Sequence, residues 1–155
     1  MKLEVITVGN RPPSWLREGL NEYRRRIPKE WRLSFREIPL PKRTKGTITK
    51  TLIRSEYERL RSASVPHARK VVLEATGEIW SSEELSNNLD NWLKDYQMVQ
   101  FFVGGPDGVD KELLDSADDI WSLSRLTFPH AFVPMLVLEQ IYRAWTMINH
   151  HPYHR

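Results

Sequence analysis

Five side chains among the last six positions, His150, His151, Tyr153, His154 and Arg155, could supply a general base, a phenol and a cation in one place. A chain terminus frays unless something holds it, and chemistry is wasted on a mobile end. The tail is therefore either disordered or docked, and the apolar helical pattern that runs straight into it favours docking. Within that pattern Glu139 and Arg143 stand four residues apart in the order that favours an ion pair on a helix, so they are either a surface pair or part of a site. A metal centre is not expected, because adjacent His150 and His151 cannot easily face one ion and no cysteine or close carboxylate joins them.

Two other stretches could hold a ligand. Gly104, Gly105 and Gly108 in VGGPDG follow an apolar run that reads as a buried strand, and open α/β sheets bind ligands beyond their strand ends. Glycines let a backbone approach a flat ligand closely. The spacing is not GxGxxG, no Walker lysine follows, and no acidic residue stands where a ribose would be held. The turn is thus either structural or part of a different kind of pocket. SLSRLTFPH, residues 122–130, ends a second strand in small hydroxyl residues, Pro129 and His130. Alone, His130 is more often a capping or core histidine than a catalytic one.

The elements that must position these residues alternate in period. Strands are predicted at Leu3–Val8, Arg32–Ile38, Lys70–Ala75, Met98–Val103 and Ile120–Leu126. Helices are predicted at Ser14–Arg26, where Trp15, Leu16, Leu20, Tyr23 and Ile27 lie near helical spacing, at Ile48–Ala63, and at Lys111–Ser116. Ser81 and Glu84 form a capping box for another, running through Leu93. A last helix includes Pro134 and carries Val137, Ile141, Ala144, Trp145 and Ile148 on one stripe. PLPKRTKGT is too rich in proline, glycine and charge to be regular. Alternating strands and helices imply an α/β fold with a largely parallel sheet, in a single domain spanning 1–155. Met135, Leu138, Tyr142 and Met147 fall off the last helix's stripe, and a helix apolar nearly all round must be buried on a second face. A symmetric homodimer is expected to use that face.

Composition excludes several classes. Zero cysteines rule out a disulfide framework and a thiolate zinc site. No run is long enough to span a membrane and nothing resembles a secretory signal, so a cytoplasmic protein is expected. The net charge of +3 conceals a division: residues 1–70 carry +11 and residues 71–155 carry −8. A basic half suggests a polyanionic partner approached from one side, or else solvated helix faces. Lys42, Arg43 and Lys45 are the expected phosphate contacts.

GGPDG, SLSRLTFPH, LEQIYRAW and HPYHR, in that order, together with a PxW helix start and EYRRRIPK, resemble the RlmH family. These are small SPOUT-type methyltransferases that act on N3 of a pseudouridine in large-subunit (23S) ribosomal RNA. The resemblance covers the whole length. It implies a SPOUT-type, mostly parallel sheet flanked by helices with a C-terminal trefoil knot, a homodimer, and S-adenosylmethionine as methyl donor. By the same resemblance Leu73, Gly105, Ser124, Arg125, Leu126, Thr127, Phe128 and Pro129 would line the donor pocket. His130, Glu139, Arg143, Tyr153, His154 and Arg155 would surround the target base, with tail and pocket drawn from both subunits. Where relatives usually carry Arg four residues after the PH histidine, this chain has Pro134, so that arginine's contacts do not carry over. Proline there suits a first helical turn.

The chemistry implied is modest. Displacement at a sulfonium methyl releases a neutral thioether and needs neither acid nor metal, leaving alignment and removal of the imide proton. His154 is the candidate base, Tyr153 a stacking or hydrogen-bonding group, and Arg143 and Arg155 cations that offset imide or phosphate charge. Two readings from other classes stand beside it: a catalytically silent RNA- or ribosome-binding domain, and a flavodoxin-like nucleotide or phosphate binder, against which the absence of a phosphate-cradling loop argues.

Overall fold

Strands and helices alternate along the chain as β1 (Lys2–Val8), α1 (Ser14–Arg26), β2 (Leu33–Ile38), α2 (Thr49–Ala63), β3 (Arg69–Ile79), α3 (Ser82–Asp95), β4 (Met98–Val103), α4 (Lys111–Asp115), β5 (Asp119–Ser122) and α5 (Val133–Ile148). Short 3-10 turns lie at Lys29–Trp31, His130–Phe132 and Pro152–His154. This computed structural model describes residues 1–9, 11–42 and 44–155. The strands form one sheet in the order β2-β1-β4-β3-β5, with every described pairing parallel.

A parallel sheet must be covered on both faces, which is why β1 and β4 read as nearly continuous apolar runs. Leu3, Val5, Val71, Val99 and Phe101 point to one face and meet Leu20 of α1, Leu85 and Leu89 of α3, and Val137 and Ile141 of α5. Their neighbours Ile6, Val8, Val72 and Phe102 point to the other, where α2 and α4 supply Tyr57, Leu60 and Leu113. The alternation follows from the two-residue repeat of a strand. Buried Glu4 is compensated rather than orphaned: Arg36 donates to one oxygen at 3.0 Å, and Gln100 donates to the other at 2.7 Å.

Helix starts follow the sequence closely. Ser81 and Glu84 form the capping box, and Pro134 sits in the first turn of α5, where a missing N–H costs nothing. Strand limits differ more. Arg32 has φ +40 and closes the preceding 3-10 turn, so β2 begins one residue later than expected. β3 continues past Ala75 to Ile79, with its register to β5 shifting between Leu73 and Glu78. Gly77 permits this, since a Cβ there would lie 2.6 Å from the carbonyl oxygen of Ile120. The expected strand Ile120–Leu126 instead stops at Ser122. The Ser122 hydroxyl donates to the Ser124 carbonyl at 3.0 Å and the Leu126 N–H to the Ser124 hydroxyl at 3.0 Å, turning the backbone out of the ladder.

Two packing expectations are corrected. Trp15 does not join the core: it is 60 % exposed and tilts against Phe132 at 5.6 Å, while Leu16 and Leu20 are buried. Leu138 and Tyr142 do not form an outer face of α5, because α1 and α3 flank that helix on two sides and bury both residues within the chain's own core. Met135 and Met147 remain half-buried.

Candidate functional site

A cavity of about 250 Å³ opens where β4 and β5 end and β3 breaks register. One wall is the glycine turn. The Gly108 N–H donates to the Gly105 carbonyl at 3.2 Å, and Gly108 has φ +99, a conformation that a side chain would strain. Gly105 faces the buried carboxylate of Glu56 from α2, and a Cβ on it would lie 2.6 Å from a carboxylate oxygen. The other wall is the loop after β5, whose hydroxyl-to-backbone bonds hold it off the sheet. Of the residues that the resemblance implies for the donor pocket, Leu73, Gly105, Ser124, Leu126, Thr127 and Phe128 line this cavity, whereas Arg125 and Pro129 do not. Leu126 is 72 % exposed, an apolar side chain left at the mouth.

Sequence reading missed Glu74, Trp121 and Val133 in this lining. Trp121 is stacked on Trp80 at 5.4 Å, and its buried indole N–H has no acceptor among the described residues. Only the alternation of β5 could have pointed to it.

His130 stands at the rim, just before α5. Its Nε2 lies 2.7 Å from the Val8 carbonyl oxygen at the end of β1, so Nε2 carries the hydrogen and donates. Any acceptor role for this ring therefore falls to Nδ1. The remaining expected site residues lie farther along α5 and in the tail beyond it. Arg143 donates to Glu139 Oε1 from Nε at 3.0 Å and from Nη2 at 2.8 Å, and the Tyr153 hydroxyl donates to the same oxygen at 3.3 Å. The pair predicted from the i,i+4 spacing is thus present, and it is half-buried beneath the tail.

The tail is docked. The His151 N–H donates to the Thr146 carbonyl at 2.7 Å, turning the chain back from α5. Tyr153 packs edge-on against Tyr142 at 4.7 Å, with the Arg143 guanidinium over its ring at 5.2 Å and that of Arg26 from α1 at 5.8 Å. Glu22 holds Arg26 in place through an Nε bond of 2.9 Å. Tyr23 and Arg26 lie in the EYRRRIPK stretch quoted from the sequence, but no role at the tail is assigned to them there. Burial first, then hydrogen bonding to Tyr23 and the nearby Glu139 carboxylate, push the Tyr153 phenol well above the ordinary tyrosine range. It is a donor and a stacking face, not a base. His154 Nδ1 is buried without a partner among the described residues, which leaves Nε2 as the nitrogen able to meet another molecule. Arg155 is exposed.

One chain does not bring all six expected base-contacting residues together. His130 precedes the first turn of α5 and the tail follows its last, and a 16-residue helix is ~24 Å long. Glu139, Arg143 and Tyr153 form one cluster, with His154 beside them in the tail; His130 belongs to the cavity. Lys42 and Lys45 are exposed in the segment after β2, at the same carboxyl end of the sheet as the cavity, and Arg43 lies outside the described residues. Among the described residues no cluster of three or more His, Cys, Asp or Glu side chains could hold a metal, and no helix is long and apolar enough to cross a membrane.

A sequence profile of the family described as "Predicted SPOUT methyltransferase" matches residues 1–154. A Pseudomonas putida (strain W619) protein named ribosomal RNA large subunit methyltransferase H is 46% identical over 155 residues, covering all of both chains. Proteins of the same name from Marinomonas sp. (strain MWYL1) and Methylococcus capsulatus are each 44% identical, again over their full lengths.

Proposed function

This chain belongs to the SPOUT methyltransferase family, within its RlmH group, and from that premise we propose that it methylates N3 of a pseudouridine in large-subunit ribosomal RNA, with S-adenosylmethionine as donor. The observation that carries the proposal is the cavity between the glycine turn and the loop after β5. Its apolar walls suit an adenine ring, and its glycine turn lets the backbone come close to a flat ligand. Leu73, Gly105, Ser124 and Leu126 to Phe128 would hold the donor. Bound there, it supplies an electrophilic methyl on a leaving group that departs neutral.

The protein's part is geometry and one proton. The N3–H proton passes to a base, the nitrogen lone pair forms the new N–C bond, and the C–S bond breaks with its electron pair remaining on sulfur. Fixed alignment is the larger contribution, up to several kcal/mol, and a positioned base adds about 10²–10⁴-fold. His154 Nε2 is the proposed base, Tyr153 a stacking face, and Arg155 a cation toward the developing imide anion or a phosphate. Arg143 is already engaged by Glu139, so its first duty is to hold the tail. The separation of tail and cavity along α5 supports a homodimer in which one subunit's tail faces the other's cavity. We further propose that the segment from β4 onward carries a trefoil knot and that the assembled ribosome, approached by the basic first half, is the substrate.

Calorimetry should show S-adenosylmethionine binding that EDTA leaves unchanged, light scattering should report a dimer at tens of micromolar protein, and mass spectrometry of ribosomal RNA from a strain lacking the protein should show one unmethylated pseudouridine. Binding to ribosomes with no affinity for S-adenosylmethionine would instead identify a non-catalytic ribosome-binding domain.

A further inference from the structure

The floor of the cavity is formed by β3, which lies between β4 and β5 in the sheet. Leu73 pairs with Val103 of β4 on one side and with Trp121 of β5 on the other, and the register of β3 breaks immediately after it. Glu74, the next residue, therefore stands between the glycine turn and the loop after β5, and it lines the cavity. It is half-buried, and its carboxylate has no hydrogen bond or ion pair among the described residues. No other acidic side chain shares this lining: Glu56 meets Gly105 from α2 but does not reach the cavity surface. The one other titratable group there, His130, is engaged through Nε2 by the Val8 carbonyl. A charge drawn out of water into a largely apolar pocket is costly unless an opposite charge meets it, so the floor favours a cationic ligand group.

We propose that Glu74 is a specificity-determining residue for the donor, its carboxylate accepting from the α-ammonium group of the methionine portion; the proposal rests on the methyltransferase reading above. S-adenosylmethionine carries two cations, and the chemistry separates them. The sulfonium loses its charge as the methyl leaves, so a carboxylate held beside it would stabilise the ground state more than the transition state and slow transfer. The ammonium keeps its charge throughout. A carboxylate on that group tightens donor binding without opposing the reaction. The same carboxylate repels the phosphates of adenine nucleotides, which share the donor's ring system.

The test compares Glu74→Gln and Glu74→Asp with wild type by titration calorimetry against three ligands: S-adenosylmethionine, S-adenosylhomocysteine and 5′-methylthioadenosine. The second lacks the sulfonium charge and the third lacks the amino-acid portion. Melting temperature is measured alongside. In Glu74→Gln the first two ligands should each bind roughly tenfold or more weakly, as expected for loss of a charge-assisted bond, with methylthioadenosine within about twofold of wild type. Glu74→Asp should recover part of the loss. In transfer to unmodified large subunits, Glu74→Gln should raise the KM for the donor with little change in kcat, the signature of uniform binding. Wild-type affinity for S-adenosylmethionine in Glu74→Gln would overturn the proposal. So would an equal loss for all three ligands, which would place the carboxylate on the nucleoside, or a loss for S-adenosylmethionine alone, which would place it on the sulfonium. If wild type binds none of the three, the methyltransferase reading falls and this proposal with it, whereas binding by wild type that Glu74→Gln leaves unchanged overturns this proposal alone.

Discussion

Deleting Tyr153 to Arg155 separates a docked, working tail from a frayed end. The truncation removes one edge-on ring pair, Tyr153 on Tyr142 at 4.7 Å, for which about 0.5–1.5 kcal/mol is typical. It also removes two guanidinium contacts, from Arg143 at 5.2 Å and Arg26 at 5.8 Å, each about 0.5–1 kcal/mol at partly exposed positions. The bond from the phenol to Glu139 is long at 3.3 Å and adds little. These terms share partners and do not add fully, so the loss is roughly 2 kcal/mol. For a domain of this size that is a fall in Tm of about 4–8 °C, with folding retained because both sheet faces are untouched. Donor affinity should not change, since no tail residue lines the cavity. Methyl transfer should fall at least roughly 10²-fold, with His154→Ala alone giving much of that loss. The assays are calorimetric melting, donor titration, and single-turnover transfer to unmodified subunits. Unchanged melting would mean the tail is not docked, and full activity in the truncation would falsify its catalytic assignment. A dead truncation with an active His154→Ala would move the base to His130 Nδ1 or solvent and leave the tail as a clamp.

Gly105→Ala should weaken donor binding at least tenfold in titration calorimetry, because its Cβ would sit 2.6 Å from the Glu56 carboxylate and push the turn into the cavity; wild-type affinity would show that the turn is not a donor wall. Tyr153 has a raised folded-state pKa, so its contribution to stability is complete below the unfolded tyrosine value near 10 and is lost as pH rises beyond it. Tyr153→Phe should therefore flatten the alkaline loss of stability seen by urea titration between about pH 9 and 11; an unchanged slope refutes the burial argument. Changing Lys42, Arg43 and Lys45 together to Glu should weaken ribosome association, reduce its salt dependence and leave donor affinity alone; equal methylation at physiological salt would make this segment a solvated surface.

Much of the architecture is legible in the sequence because it follows from local periodicity. Period-two and period-3.6 apolar patterns, the Ser81 capping box and Pro134 each act within a few residues, and they place the strands and helices to within a few positions. The end of β5 is less legible: the hydroxyls of Ser122 and Ser124 compete with the ladder for backbone groups, and an apolar alternation does not record which of them wins. Burial on α5 is less legible still. Leu138 and Tyr142 have the spacing of a free face, yet α1 and α3 both press on that helix, and the number of neighbours an element acquires is a property of the fold. The same distinction governs the site. The glycine turn and the serine-rich loop announce themselves by residue type, whereas Glu74, Trp121 and Val133 carry no local signal. They reach their places through strand order β2-β1-β4-β3-β5, which sets sequence-distant strand ends side by side. Residue types and spacing determine which chemistry is available, but only long-range packing decides which groups meet, because distance in space is not encoded in distance along the chain.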